Sequence, residues 1–301
     1  MPSPSTEDRS RPAIAVLGTG RMGAPIARNL LAAGFAVSVW DRAADKGAAL
    51  AADGARLAAS AAEAADAVDV VLTMLTDGNA VRDVMIGRDG ALASLRPGSA
   101  WIQMATIGED WTEQLATLAS SHGIEFVDAP VSGSDGPARE GKLVVLASGP
   151  EAVRPRLEPI FGAIGRKTLW LGQAGNGTRM KLVLNNWLAS QVESVAETIA
   201  LTEALGVDPR LFLETIDDGP LGSPYAVAKG QGMIAGEFAP GFALRLAYKD
   251  VRLALDAARE HQLELPVTEA LVPRWQQAID AGHADDDVSA VIAAAAPPRE
   301  T

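Results

Sequence analysis

The sequence predicts a two-part α/β protein: an N-terminal, doubly wound, mainly parallel sheet, followed by an all-α C-terminal part joined to it by a long helix. Three observations predict this. From Ala13 onward, short apolar runs alternate with alanine-rich stretches of helical character, the pattern of strands covered on both faces by crossover helices. The glycine triplet Gly18-Thr-Gly20-Arg-Met-Gly23 closes the first apolar run and opens the first helical stretch. Beyond Leu171 the strand pattern stops, and helical periodicity runs to the end of the chain.

Residues 1–11 are polar and proline-rich with no apolar core, so they read as a loose tail rather than a targeting segment. Strands are expected at 13–17, 35–40, 68–74, 99–103, 124–127, 143–147 and 168–171, with a helix opening at Gly23. This gives a first domain over 12–172. Helices follow at about 173–204, 208–217, 224–235, 244–262, 266–281 and 286–295, in a second domain over 173–296. Pro209, Gly219-Pro220, Pro224, Pro240-Gly241 and Pro266 punctuate them. The first of these helices bridges the domains, and 297–301 reads as a frayed end.

Composition narrows the classes of function. The chain has 301 residues, enough for two ordinary cores, with 48% hydrophobic and 21% charged residues as in soluble globular proteins. A net charge of −12 argues against nucleic acid or an anionic membrane as partner. Cysteine is absent, which excludes disulfides, thiolate metal sites and cysteine nucleophiles, and the three histidines are too scattered for a zinc site, so no metal is expected. Apolar runs fall short of the roughly 20 residues that span a bilayer, and a cytoplasmic location follows as the expectation. The helical part has wide apolar faces, which predicts a homodimer, with a tetramer as the larger option.

Gly18 to Gly23 (Gly18, Thr19, Gly20, Arg21, Met22, Gly23) has the spacing of a dinucleotide-binding turn in a Rossmann domain. The first glycine permits the turn, the second lets backbone approach a pyrophosphate, and the third lets helix pack closely on strand. Asp41, 21 residues beyond Gly20 at the end of the second strand, suits a carboxylate gripping the adenosine ribose. It repels a 2′-phosphate and tips the reading to NAD, whereas the adjacent Arg42 would suit NADP. Met74 and Leu75, after a later strand, are expected over the ribose and nicotinamide side. Asp128-Ala-Pro-Val-Ser132-Gly133-Ser134 follows another strand. Its small residues expose N–H groups, and Ser132 adds a hydroxyl, together a nest suited to a carboxylate; a plain serine–glycine turn reads the same way. Finally, Gly172-Gln-Ala-Gly175-Asn-Gly177 leads into Lys181 and Asn185, four apart on one helical face beside Leu184 and Leu188. A lysine held against apolar surface loses proton affinity and can exchange protons near neutral pH. Taken alone, the pair reads equally as a lysine reaching solvent beside an asparagine.

These three motifs, in this order and at these separations, resemble the β-hydroxyacid dehydrogenases, the family of 3-hydroxyisobutyrate dehydrogenase and tartronate semialdehyde reductase, over about residues 12–293. The resemblance implies NAD(P)-dependent hydride transfer to or from a short β-hydroxy acid or semialdehyde bearing a carboxylate. It assigns Lys181 as acid/base, Asn185 as its orienting neighbour, and Ser132 and Gly133 to the substrate carboxylate. It adds Thr106, in Met104-Ala-Thr-Ile107, at the nicotinamide end, and Lys249, in Leu246-Ala-Tyr-Lys-Asp250, near cofactor and substrate. Two departures stand out: Ser134 replaces the family's second glycine and adds a hydroxyl by the carboxylate site, and Ala105 replaces a serine or threonine. Imine reductases share the architecture but carry Asp or Tyr at the lysine position. A non-catalytic dinucleotide sensor is the other alternative, and the retained lysine, asparagine and serine–glycine nest argue against it.

Overall fold

A computed structural model describes residues 11–295. The chain divides after Lys181 into two compact units.

In the first unit, strands β1 (Ile14–Leu17), β2 (Val37–Trp40), β3 (Arg56–Leu57), β4 (Val70–Thr73), β5 (Ala100–Gln103) and β6 (Glu125–Asp128) alternate with helices α1 (Gly23–Ala32), α2 (Ala44–Ala52), α3 (Ala61–Ala65), α4 (Gly78–Ile86) and α5 (Glu109–Ser121). They form one parallel sheet of order β3-β2-β1-β4-β5-β6. Strand residues alternate between two cores. Ile14, Val16, Val70, Leu72, Ile102 and Val127 pack on one face with Ile26 and Leu30 of α1. Ala15, Leu17, Val71, Trp101 and Phe126 pack on the other with Val81 and Met85 of α4 and Leu115 of α5. Burial on both faces is why these strands read as continuous apolar runs. The strand order reverses between β1 and β4, so a crevice is expected outside the carboxyl ends of those two strands.

The sequence placed 143–147 and 168–171 in the same series of strands. They belong instead to a second sheet of order β7-β8-β9, comprising β7 (Val131–Ser132), β8 (Leu143–Ala147) and β9 (Gly165–Trp170), with α6 (Asp135–Arg139) and α7 (Arg154–Ile164) between. Only Ala129 and Pro130 separate β6 from β7, far short of the dozen or more residues of a parallel crossover, and β7 pairs antiparallel with β8. The two-residue strands β3 and β7 carry too short a pattern to be read from sequence.

Helix α8 (Asn176–Ala204) begins in the first unit and continues into the second. There it is followed by α9 (Pro209–Ile216), α10 (Pro224–Ala235), α11 (Leu244–Glu260), α12 (Pro266–Ala278) and α13 (Ile292–Ala295). Three of the prolines read as punctuation, Pro209, Pro224 and Pro266, are the first residues of α9, α10 and α12, where a missing N–H costs nothing and the fixed φ is already helical. Ala189, Val192, Ala196 and Ile199 line one stripe of α8 and pack with Val251 and Leu255 of α11 and Leu271 and Trp275 of α12. Among the described residues, no helix is long and apolar enough to cross a membrane.

Candidate functional site

The glycine loop sits where the strand order reverses. Gly18, at φ +98°, has no room for a side chain: a Cβ would stand 2.4 Å from the Met74 carbonyl oxygen and 2.8 Å from Leu75 Cδ2. A Cβ on Gly23 would stand 1.8 Å from the Gly18 carbonyl oxygen. Both glycines are therefore fixed by packing within the protein, and Met74 and Leu75 are held against the turn. Gly20 differs, because a Cβ there would meet nothing within 4 Å. Internal packing gives no reason for glycine at that position, so the open space suits a ligand that approaches backbone closely, as a dinucleotide pyrophosphate does at a helix start. The Asp41 carboxylate ties this turn to the end of β2. Its Oδ2 accepts from the Thr19 N–H at 2.8 Å and the Thr19 hydroxyl at 3.4 Å, and its Oδ1 from the Ala43 N–H at 3.0 Å. Arg21 and Arg42 are exposed beside it, and Met22 packs on the core.

After β5, Thr106 is half-buried in a loop whose backbone Gln103 brackets. The Gln103 side chain accepts from the Ala105 N–H at 2.9 Å and donates to the Ala105 carbonyl at 2.6 Å. Gln103 thus fastens the loop backbone at both polar groups of Ala105. After β6, Ser132 lies in β7 rather than in a turn. Gly133 takes φ +125°, where a Cβ would press on Leu143 at 2.9 Å, and Ser134 precedes α6 without its hydroxyl capping the helix.

The start of α8 is fastened to the end of β6. Asp128 is fully buried. Its Oδ2 accepts from the Thr178 N–H at 2.7 Å and its Oδ1 from the Thr178 hydroxyl at 2.8 Å, and the Ser148 hydroxyl lies 3.3 Å from Oδ2. Ser148 Oγ in turn accepts from the Gly177 N–H at 2.9 Å. Burial pushes the Asp128 carboxyl up to about 6, against the hydrogen bonds from Thr178, Ser148 and the Gly175 N–H, which favour the anion. Gly177 makes the close approach possible, since a Cβ there would stand 2.3 Å from the Leu146 carbonyl oxygen. Lys181 follows one turn later, half-buried.

In the second unit Asn185 is buried, and its Nδ2 donates to Asp250 Oδ2 at 2.5 Å. Only the amide nitrogen can donate to a carboxylate, which fixes the Asn185 nitrogen on the Asp250 side. Lys249 lies 2.8 Å from Asp250 Oδ1. Asp250 thus pairs with Lys249 on its own helix and also orients an asparagine. The structure thus groups the glycine loop with Asp41, Met74 and Leu75, and groups Asn185 with Lys249. It sets Lys181 and Asn185 four apart on one continuous helix. Sequence reasoning passed over Asp128, Thr178, Gln103 and Asp250. Two of these were legible as acids adjoining motif residues; Thr178 and Gln103 gave no signal beyond lying near them.

Residues 13–172 match the family model of the NAD binding domain of 6-phosphogluconate dehydrogenase, and residues 175–295 match that of the NAD-binding domain of NADP-dependent 3-hydroxyisobutyrate dehydrogenase. The chain is 34% identical over 293 residues to chloroplastic glyoxylate/succinic semialdehyde reductase 2 of Arabidopsis thaliana, covering 97% of this chain and 82% of that one. Among solved structures, the 3-hydroxyisobutyrate dehydrogenase of Mycobacterium tuberculosis with L-serine aligns at a TM-score of 0.86 and 32% identity, over 94% of this chain and 98% of that one. The 3-hydroxyisobutyrate dehydrogenase of Salmonella typhimurium aligns at 0.85 and 29%, over 93% and 99%.

Proposed function

The chain belongs to the β-hydroxyacid dehydrogenase family and is an NAD(P)-dependent oxidoreductase acting on CH–OH groups, and on that premise we propose that Lys181 is its acid/base and a short 3-hydroxy acid or the matching semialdehyde its substrate. When bound, the dinucleotide supplies the hydride acceptor or donor. Gly18 to Gly23 receive its pyrophosphate on the open face of Gly20, and Asp41 meets the adenosine ribose, which favours NAD. Met74, Leu75 and Thr106 line the path to the nicotinamide end, and the family resemblance gives Lys249 a role toward the cofactor. The Ser132 hydroxyl and the backbone N–H groups of Gly133 and Ser134 hold the substrate carboxylate. In oxidation, neutral Lys181 accepts the hydroxyl proton as the C–H hydride departs; in reduction, its ammonium protonates the oxygen that gains negative charge. Asn185 offers its oxygen to the substrate hydroxyl or to the lysine.

One observation carries this reading: the helix that bears Lys181 starts at the carboxyl end of β6, an edge strand of the parallel sheet that carries the glycine loop, and is fastened there by Asp128 and Ser148. Exposed Val183, Trp187 and Leu201 on α8, with Leu205 just beyond its end, support a homo-oligomer. The test is turnover of glyoxylate, succinic semialdehyde, tartronate semialdehyde and methylmalonate semialdehyde with NADH and with NADPH, alongside Lys181→Ala. Removing a positioned proton donor lowers turnover on the order of 10²–10⁴-fold. Lys181→Ala with near-normal turnover would sink the assignment.

A further inference from the structure

The Asp128 cluster does more than end a strand. Thr178 Oγ1 lies 3.1 Å from Thr112 Oγ1, and the Thr112 hydroxyl donates to the Gly108 carbonyl at 2.7 Å. Gly108 closes the loop that carries Thr106. Asp128 itself opens the segment that runs to Ser132 and Gly133. One buried carboxylate therefore ties the Lys181 helix, through Thr178, to the strand that leads into the Ser132–Gly133 backbone, and Thr178 stands beside Thr112, whose hydroxyl holds the end of the Thr106 loop.

We infer that Asp128 is a positioning residue that fixes the rotation of α8 about its axis and so sets where Lys181 stands relative to Thr106 and to the Ser132–Gly133 backbone. This rests on the acid/base reading of Lys181. Two features separate it from an ordinary cap. The grip is bidentate on a single residue, with Oδ2 on the Thr178 N–H and Oδ1 on its hydroxyl, which restrains roll as well as translation. Thr178, Lys181 and Asn185 fall at i, i+3 and i+7, one stripe of the helix, so a roll at Thr178 is carried directly to Lys181. The second feature is its cost. The caps of α3, α4, α9 and α10 are Ser60, Asp77, Asp208 and Ser223, none of them buried. At α8 the grip is instead a fully buried acid from β6, 50 residues away in sequence, whose burial opposes its charge.

The test uses the full chain with Asp128→Ala, Asp128→Asn and Thr178→Val, and Lys181→Ala as reference. NADH and NADPH affinity, KM and kcat are measured on the substrate turned over by the wild type, with amide exchange followed across residues 177–181. A misplacement of about 1 Å costs on the order of 10²-fold. Asp128→Ala is expected to lose about that in kcat, with dinucleotide affinity and KM within a few-fold of wild type and faster exchange confined to the first turns of α8. Asp128→Asn, which keeps one acceptor oxygen, recovers part of the loss, and Thr178→Val loses about tenfold. Where Asp128→Ala does not fold, Thr178→Val decides, because it removes one donor and keeps the shape. Unchanged kcat in Thr178→Val and Asp128→Asn overturns the inference, as does a fall in dinucleotide affinity matching the fall in kcat. If Lys181→Ala is inactive while those variants turn over normally, the acid/base reading stands and the positioning role falls. If Lys181→Ala itself turns over normally, both fall.

Discussion

Replacing Asp128 by asparagine should stabilise the first unit near neutral pH even as it slows the enzyme. The Asp128 carboxyl rises from 3.8 to about 6 on folding, chiefly by desolvation. At 1.36 kcal/mol per pK unit, that is about 3 kcal/mol. Below the unfolded value both states carry the proton, and the group contributes nothing. Between about 4 and about 6 the folded protein holds a proton that the unfolded chain has released, so stability falls as pH rises through that window. Above about 6 both states are ionised, and the fold carries the whole desolvation cost. Asparagine cannot titrate, so the variant lacks this slope. Relative to the variant, the wild type should lose up to about 3 kcal/mol between about pH 4 and about pH 7, while whatever the amide forfeits at the Thr178 hydroxyl offsets the whole curve without changing that slope. Amide exchange in β1, β4 and β5 reads the unit that contains Asp128 separately from the helical unit. A difference curve that is flat across the window refutes the argument. One that rises with pH would mean that the bonds from Thr178 outweigh burial and the anion is a net gain.

The glycine loop gives a paired prediction: Gly23→Ala forces a Cβ to within 1.8 Å of the Gly18 carbonyl and should lower Tm and abolish dinucleotide binding, whereas Gly20→Ala meets nothing within 4 Å and should keep Tm while weakening dinucleotide affinity at least about tenfold. Equal Tm losses in the two variants would contradict it. Asp41→Ala removes the charge that repels a 2′-phosphate and should shift the NADPH-to-NADH ratio of kcat/KM toward NADPH by about tenfold, or 1.4 kcal/mol, as read by steady-state kinetics. In the helical unit, burial raises the Asp287 carboxyl, but Lys229 at 2.6 Å and the N–H groups of Ser289 and Phe242 outweigh it and hold it below its usual value. Its stabilisation is present above the unfolded value and lost as pH falls through the lowered one. Lys229→Met should cost about 3 kcal/mol by urea unfolding at neutral pH, the low end for stripping one partner from a buried pair, since the backbone donors remain.

Much of this was legible in the sequence, because the legible parts are periodic or glycine-bound. Five of the six strands of the main sheet follow from apolar runs spaced by helices, and the loop from glycines that packing requires at Gly18 and Gly23. The second sheet was not legible as such, since β8 and β9 are apolar runs like those of the main sheet, and only the two-residue link from β6 to β7 diverts them. The role of Gly177 was half-legible: a glycine before a helix reads as a turn, while its close contact with the Leu146 carbonyl is a long-range fact. Asp128 was quoted within its motif, yet its partner Thr178 lies 50 residues away, and no local pattern pairs them.

The residues that escaped the sequence reading share a physical trait. Asp128 and Asp250 are buried acids that form no part of a hydrophobic pattern, and each costs stability unless its bonds are satisfied. α8 donates to each, Thr178 to Asp128 and Asn185 to Asp250, with Ser148 and Lys249 as their further partners, so the stretch holding Lys181 meets a buried carboxylate at each end. Apolar packing alone fixes a helix loosely, because a face of alanine and leucine can roll or slide by fractions of an ångström at small cost. A bidentate carboxylate cannot follow such a roll without losing a bond that nothing in a dry interior replaces. Proton transfer requires the lysine within hydrogen-bond reach of a single oxygen, and buried polar fastening supplies that restriction where the hydrophobic core does not.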